Sequence, residues 1–340
     1  MSKKIILIFT TIFMLMFFTT TTQAQTGKVT GGLQHEMPDW FKESFLDLAE
    51  DVEEAKEANK HVMLFMSLDF CPYCTKMLKD NFVQGSKNQK YIENNFDVIG
   101  INIKGSRELV IDENTTMTEK EYADFLKVQY TPTIIFLNDR NEVLLRLNGY
   151  RSQQNFKLVL DFVKNKEYKN MSLTQYLDKV KNKTLYTLKT NKIFKDIKDL
   201  STINTSLAVI FEDGSCTQCD YLHNTTLKNK DVQNELSKFT IVRYDAMSKE
   251  KITRPDGKIT TPYDWAKEIK LDYRPGIILF DNKKEQARID ALLYSFHFKE
   301  LLRYVNGRYY KKYNTFLDYL KPRQKELLNK GIDINLSDSI

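Results

Sequence analysis

All four cysteines of this 340-residue chain fall into two Cys-x-x-Cys pairs, Cys71/Cys74 and Cys216/Cys219, which leaves none to staple distant parts of a fold. A small disulfide-dense scaffold scatters its cysteines because its core is too small to hold it. Here 41% of the residues are hydrophobic, enough for an apolar interior. The length suits two domains of roughly 100–200 residues each. The cysteines therefore mark chemistry more than scaffolding.

The pairs also belong to a repeat. Cys71 falls on Cys216 at a shift of 145, and later features align at 143 or 142. Asn95-Phe96-Asp97-Val98-Ile99 meets Lys238-Phe239-Thr240-Ile241-Val242, and Tyr122-Ala123 meets Trp265-Ala266. Val128-Gln129-Tyr130-Thr131-Pro132 meets Leu271-Asp272-Tyr273-Arg274-Pro275. Ile134-Ile135-Phe136 meets Ile277-Ile278-Leu279, and Phe156, Val163 and Tyr168 meet Phe298, Val305 and Tyr310. So long a collinear match reads as a duplication, with its junction in the Lys-rich 178–200 region.

Periodicity gives each copy the same coarse plan. In copy one the spacing predicts a helix over 40–58, a strand over 61–67, the first Cys pair, and a helix over 72–82. A strand follows over 96–103. Thr118 and Glu121 form a capping box for a helix over 118–127. A hairpin of 133–137 and 143–147 and a helix over 153–164 complete the copy. Copy two reads as strand 207–212, the second pair, a helix, strand 239–245, helix 262–269, hairpin 276–290 and helix 297–306. The inserts 104–117 and 246–262 are read either as flanks of a substrate groove or as solvated loops.

This order resembles the thioredoxin family, through Phe70-Cys71-Pro72-Tyr73-Cys74 and Tyr130-Thr131-Pro132-Thr133. With Pro38-Asp39-Trp40-Phe41 and Asn94-Asn95-Phe96-Asp97-Val98 it is similar to exported SoxW-type thioredoxins. Copy two has the weaker motif Cys216-Thr217-Gln218-Cys219. The resemblance implies an α/β protein of two thioredoxin-like domains, 30–180 and 190–335, each a central mixed β-sheet flanked by helices. It further implies that Pro132 and Pro275 are cis and lie against the motifs. The preceding residues, Thr131 and Arg274, would then face the substrate chain.

The chemistry needs a thiolate, since the thiolate is the nucleophile of thiol–disulfide exchange. A cysteine at a helix N-terminus gains one, because free N–H groups and the helix dipole favour negative charge. Pro72 suits the first helical position, where a missing N–H costs nothing. Cys71 is thus the expected attacking thiolate and Cys74 the resolving one, with Cys216 and Cys219 repeating the roles. Arg274 beside Cys216 would stabilise that thiolate and make the second pair more oxidising, with Glu212 and Asp213 acting in the opposite sense. Cytosolic thioredoxins carry a buried Asp six residues before the first Cys; Phe65 and Ile210 stand there here. Proton transfer then relies on another group or on water. His223, one turn beyond Cys219, is a candidate, although a surface position is the plainer reading; His35, His61 and His297 show no clear partner.

Other uses of the pairs fit less well. Zinc would require the two pairs to dock together. Haem attachment needs His directly after the second Cys, where Thr75 and Asp220 stand. A purely structural disulfide closing so short a loop removes little unfolded-state entropy. The CPYC motif also occurs in glutaredoxins, but the leader, the long N-terminal helix and the duplication argue against that subfamily.

Lys3 and Lys4, the apolar run 5–18 and the small residues Thr22 and Ala24 have the layout of a signal peptide over 1–24. The apolar run is shorter than the ~20 residues of a spanning anchor. The formal charge of +6 falls to +4 once Lys3 and Lys4 are removed, and its signs are interspersed. That balance points to a solvated surface and away from nucleic acid. The expectation is a periplasmic thiol:disulfide oxidoreductase with no cofactor. Its substrates would be cysteine-containing exported proteins or small thiols, and a membrane-embedded thiol reductant would supply electrons. The rivals are a disulfide oxidase or isomerase and a non-catalytic client-binding protein.

Overall fold

The computed structural model describes residues 26–32, 34–181 and 184–338. The leader expected over 1–24 lies outside them. After a short strand β1 (Val29–Thr30), the first copy runs α1 (Leu48–Glu57), β2 (His61–Ser67), α2 (Pro72–Asn81), α3 (Gln89–Asn95), β3 (Phe96–Asn102), β4 (Glu108–Asp112), β5 (Thr115–Thr118), α4 (Glu119–Phe125), β6 (Thr133–Leu137), β7 (Val143–Asn148) and α5 (Gln153–Lys164). A linking helix α6 (Leu173–Val180) follows. The second copy runs β8 (Leu207–Glu212), α7 (Cys219–Asn224), α8 (Lys230–Leu236), β9 (Thr240–Asp245), β10 (Ile252–Thr253), β11 (Ile259–Thr260), α9 (Pro262–Glu268), β12 (Gly276–Asp281), β13 (Lys284–Ile289) and α10 (Ser295–Asn306). Helix α11 (Phe316–Asn329) and β14 (Ile334–Asn335) close the chain.

Each copy builds one four-stranded mixed sheet, in the orders β3-β2-β6-β7 and β9-β8-β12-β13. β2 pairs parallel with β3 and antiparallel with β6; β8 does the same with β9 and β12. All seven residues of β2 are buried, because helices cover both faces of the sheet. Met63 and Phe65 pack on one side with Phe82, Phe136 and Phe156; Val62, Leu64 and Met66 pack on the other with Leu48 and Tyr122. β8 divides likewise, Ala208 and Ile210 against Leu207, Val209 and Phe211. A large apolar side chain buried this way contributes ~1.5–3 kcal/mol. The capping box the sequence indicates is present: Thr118 and Glu121 cap α4 reciprocally.

The 40–58 segment and the two inserts differ from expectation. The helix expected over 40–58 begins only at Leu48. Asp47 caps it by accepting from the N–H groups of Ala49 and Glu50, and Leu46 has a φ of 64°. Residues before it bond elsewhere: Lys42 N–H to the Val98 carbonyl and the Trp40 indole N–H to the Phe82 carbonyl. The inserts form small hairpins, β4–β5 and β10–β11. Leu109 and Ile252 bury these hairpins on the sheet faces of Leu64 and Val209, the side away from the Cys71/Cys74 cluster in the first copy. The first and last described strands meet, since β1 pairs in parallel with β14. None of the helices among the described residues is long and apolar enough to cross a membrane.

Candidate active site

β2 ends at Ser67, and a turn through Phe70 (φ 58°) delivers Cys71 to the start of α2. Cys71 is the N-cap, with Sγ accepting the Cys74 N–H at 3.1 Å and Pro72 opening the helix. The sulfurs of Cys71 and Cys74 form a disulfide with Cα atoms 5.3 Å apart. Cys74 is fully buried and Cys71 is 6% exposed. The Thr131–Pro132 bond is cis. It holds Thr131 so that its Oγ1 lies 3.3 Å, and its carbonyl oxygen 3.5 Å, from Cys71 Sγ. On reduction, two donors, the Cys74 N–H and the Thr131 hydroxyl, are thus placed at the Cys71 sulfur. Both favour the thiolate.

The second pair is held differently. Cys216 and Cys219 form a disulfide with Cα atoms 5.6 Å apart, but α7 starts only at Cys219, with Gln218 as its N-cap. Cys216 therefore precedes the helix, and the cap bond made by Cys71 has no counterpart there. The Arg274–Pro275 bond is cis, and Pro275 lines a small cavity with Gln218. Arg274 is turned away from the expected role. Its Nε donates to Asp213 Oδ2 at 2.7 Å and its Nη1 to the carbonyls of Leu271 and Tyr273. Burial alone would raise the Asp213 carboxyl, but the Arg274 charge and bonds from Ser215 hold it below its usual range. The guanidinium is thereby paired with Asp213, one of the two carboxylates the sequence sets against it, and this pairing weakens its pull on Cys216.

The sequence matches the thioredoxin-like domain twice, over residues 48–164 and 193–306. The chain belongs to the thioredoxin-like family. No curated protein matches it. Among solved structures it is similar to a thioredoxin-fold protein from Helicobacter pylori, at 27% identity over 36% of this chain and 84% of that one, with a TM-score of 0.32. It is similar also to a thioredoxin from Thermus thermophilus, at 22% identity over 41% and 87% of the two chains, with a TM-score of 0.27. A third similarity, to an alkylhydroperoxide reductase from Enterococcus faecalis, spans 78% of this chain and 100% of that one at 10% identity and a TM-score of 0.27.

Within this thioredoxin-like pair the histidines change character. His223 is buried, not on the surface: its Nε2 lies 2.8 Å from Oε1 of the fully buried Glu212, and Arg243 stands 3.5 Å from Oε2. One helical turn separates His223 from Cys219, so both share the inward face of α7. That spacing was the signal for burial, and Glu212, at the end of an all-buried β8, is the acidic group that sequence reasoning passed over as a partner. His61 meets the Tyr168 hydroxyl at 3.1 Å, and His297 meets the Tyr73 hydroxyl at 2.9 Å. A cleft of about 630 Å³ is lined by Arg151, Tyr273 and Lys181 and reaches none of the four sulfurs. Burial lowers the Lys181 amine there to about 8.

Proposed function

We propose that this chain is a periplasmic thiol:disulfide oxidoreductase, of the exported SoxW-like kind, that reduces disulfides of exported proteins or small thiol compounds. A leader over 1–24 would deliver domains 30–180 and 190–335 to that compartment. The observation that carries the reading is Cys71 as N-cap of α2, with the Cys74 N–H and the Thr131 hydroxyl at its sulfur. In the proposed cycle the Cys71 thiolate attacks one sulfur of a substrate disulfide and releases the other as a thiolate. Cys74, deprotonated, attacks Cys71 Sγ and releases the second substrate thiolate. The substrate gains two electrons and the motif is left oxidised. A membrane-embedded thiol reductant returns the pair to the dithiol.

The test is insulin reduction with dithiothreitol as electron source, using the full chain with Cys216 and Cys219 changed to Ser. Cys71→Ser should abolish the remaining activity, and Cys74→Ser should accumulate mixed disulfides. A Cys71→Ser chain that kept the full rate would overturn the assignment. For the second domain, the uncapped Cys216, 3% exposed, favours a slower or client-holding role.

A further inference from the structure

The two motifs face one another's domains. Tyr73, the third residue of the first motif, stacks on Tyr294 of the second domain with ring centroids 4.8 Å apart and planes 15° from parallel. Its phenol oxygen accepts the Tyr294 backbone N–H at 2.9 Å and lies 2.9 Å from His297 Nδ1. Burial lowers the His297 imidazole to about 4. It is therefore neutral near pH 7, and Nδ1 accepts from the phenol. Leu292 and Tyr294 complete the apolar cluster that contains Cys71, Tyr73 and Cys74. Gly149, with φ +71°, allows this approach: a Cβ there would meet Ala291 Cβ at 2.3 Å.

The reverse contact repeats the arrangement. Thr217, the second residue of the second motif, lies 3.2 Å from Ser152 Oγ and accepts from Asn155 Nδ2 at 3.0 Å. Ser152 and Asn155 are the N-cap and third residue of α5; Tyr294 and His297 hold those same two places on α10. Equivalent positions thus cover each motif from the other domain, as in a self-complementary two-fold interface.

From this we infer that residues 291–297 are a resident pseudo-client of the first motif. They pack on Tyr73 and in the apolar cluster that holds Cys71 and Cys74, where a client bound at the motif would also pack. The client that displaces them is a segment carrying leucine and aromatic side chains near its cysteine. The inference rests on the thiol–disulfide reading above for what Cys71 does, but the masking itself is measured without turnover. A face that is closed most of the time weakens the apparent affinity for a client by the fraction open.

The experiment uses the reduced full-length chain and iodoacetamide, with each cysteine's alkylation rate resolved by mass spectrometry. Two variants break the interface from opposite sides: Leu292→Asp, and the polar pair Ser152→Ala with Asn155→Ala, which leaves the core untouched. Each should raise alkylation of both Cys71 and Cys216, by about ten-fold for a face closed nine-tenths of the time. A synthetic heptapeptide with the sequence of residues 291–297, added in excess, should slow Cys71 alkylation again in the polar pair variant. The same peptide with serine in place of Leu292 and of Tyr294 should not. Wild-type rates in the polar pair variant, a rise confined to one motif, or a heptapeptide without effect would each overturn the inference. Masking relieved without any gain of insulin reduction would count against the oxidoreductase reading alone.

Discussion

The hydroxyl of Thr131 lies 3.3 Å from Cys71 Sγ, across a separation of 60 residues. This places a donor at the sulfur that the chemistry needs ionised. Thr131→Val keeps the side-chain shape and removes the donor. A hydrogen bond to a charged group is worth ~1.5–3 kcal/mol, so the Cys71 pKa should rise by about one unit or more. Ultraviolet thiolate absorbance against pH in the reduced chain measures it; an unchanged midpoint would mean that the hydroxyl does not serve the thiolate.

At the matching place in the second domain, Arg274 and Asp213 form a pair whose side chains are 11% and 5% exposed. Removing one partner of a buried pair leaves an uncompensated charge and costs roughly 3–5 kcal/mol. Arg274→Thr should therefore destabilise the second domain by that order. The double variant with Asp213→Asn should recover much of the loss. Urea unfolding measures both, and a single-variant loss below about 1 kcal/mol would show the pair to be dispensable.

Acid should loosen the contact between the domains. Burial lowers His297 from 6.5 to about 4, so the unfolded chain binds a proton there that the folded chain refuses. Stability then rises with pH across that window and is lost as pH falls from 6.5 towards 4, by about 3 kcal/mol in all. His61, lowered chiefly by burial and further by Lys166, acts with the same sign. His297→Gln should flatten the larger part of the slope in urea melts run from pH 7 to 4. An unchanged slope would place the acid sensitivity elsewhere.

The sheets, the motif helices and the duplication were legible because they depend on local patterns: apolar runs, a capping box, proline before a strand. What was not legible depends on contacts across the chain. Trp40 and Phe41 have helical spacing, yet their segment bonds to the Phe82 and Val98 carbonyls and stays irregular. Helix α11 and the β1–β14 pairing were not anticipated, since nothing near Val29 in sequence indicates Ile334 as its partner. At the sites, the four cysteines stood out on spacing alone. Arg274 precedes Pro275, a place that points it at Cys216, but its guanidinium goes to the carboxylate of Asp213. For His223 a candidate proton-transfer role and a plainer surface position both fit the sequence, because its partner, Glu212, sits on a strand eleven residues earlier.

Cys71, capping α2, should be the reactive thiolate, and the most direct measurement is its alkylation rate as a function of pH. Reduced full-length chain is pulsed with iodoacetamide, and each cysteine is resolved by mass. Relative rates across pH report ionisation even where access is restricted, provided the fold is constant above pH 6.5. Cys71 should react with a midpoint well below the free-cysteine value of about 8.5. Cys216, which lacks the cap, should show a higher midpoint than Cys71, and the buried Cys74 should react last. A Cys71 midpoint at or above about 8.5, or Cys74 reacting first, would contradict the account.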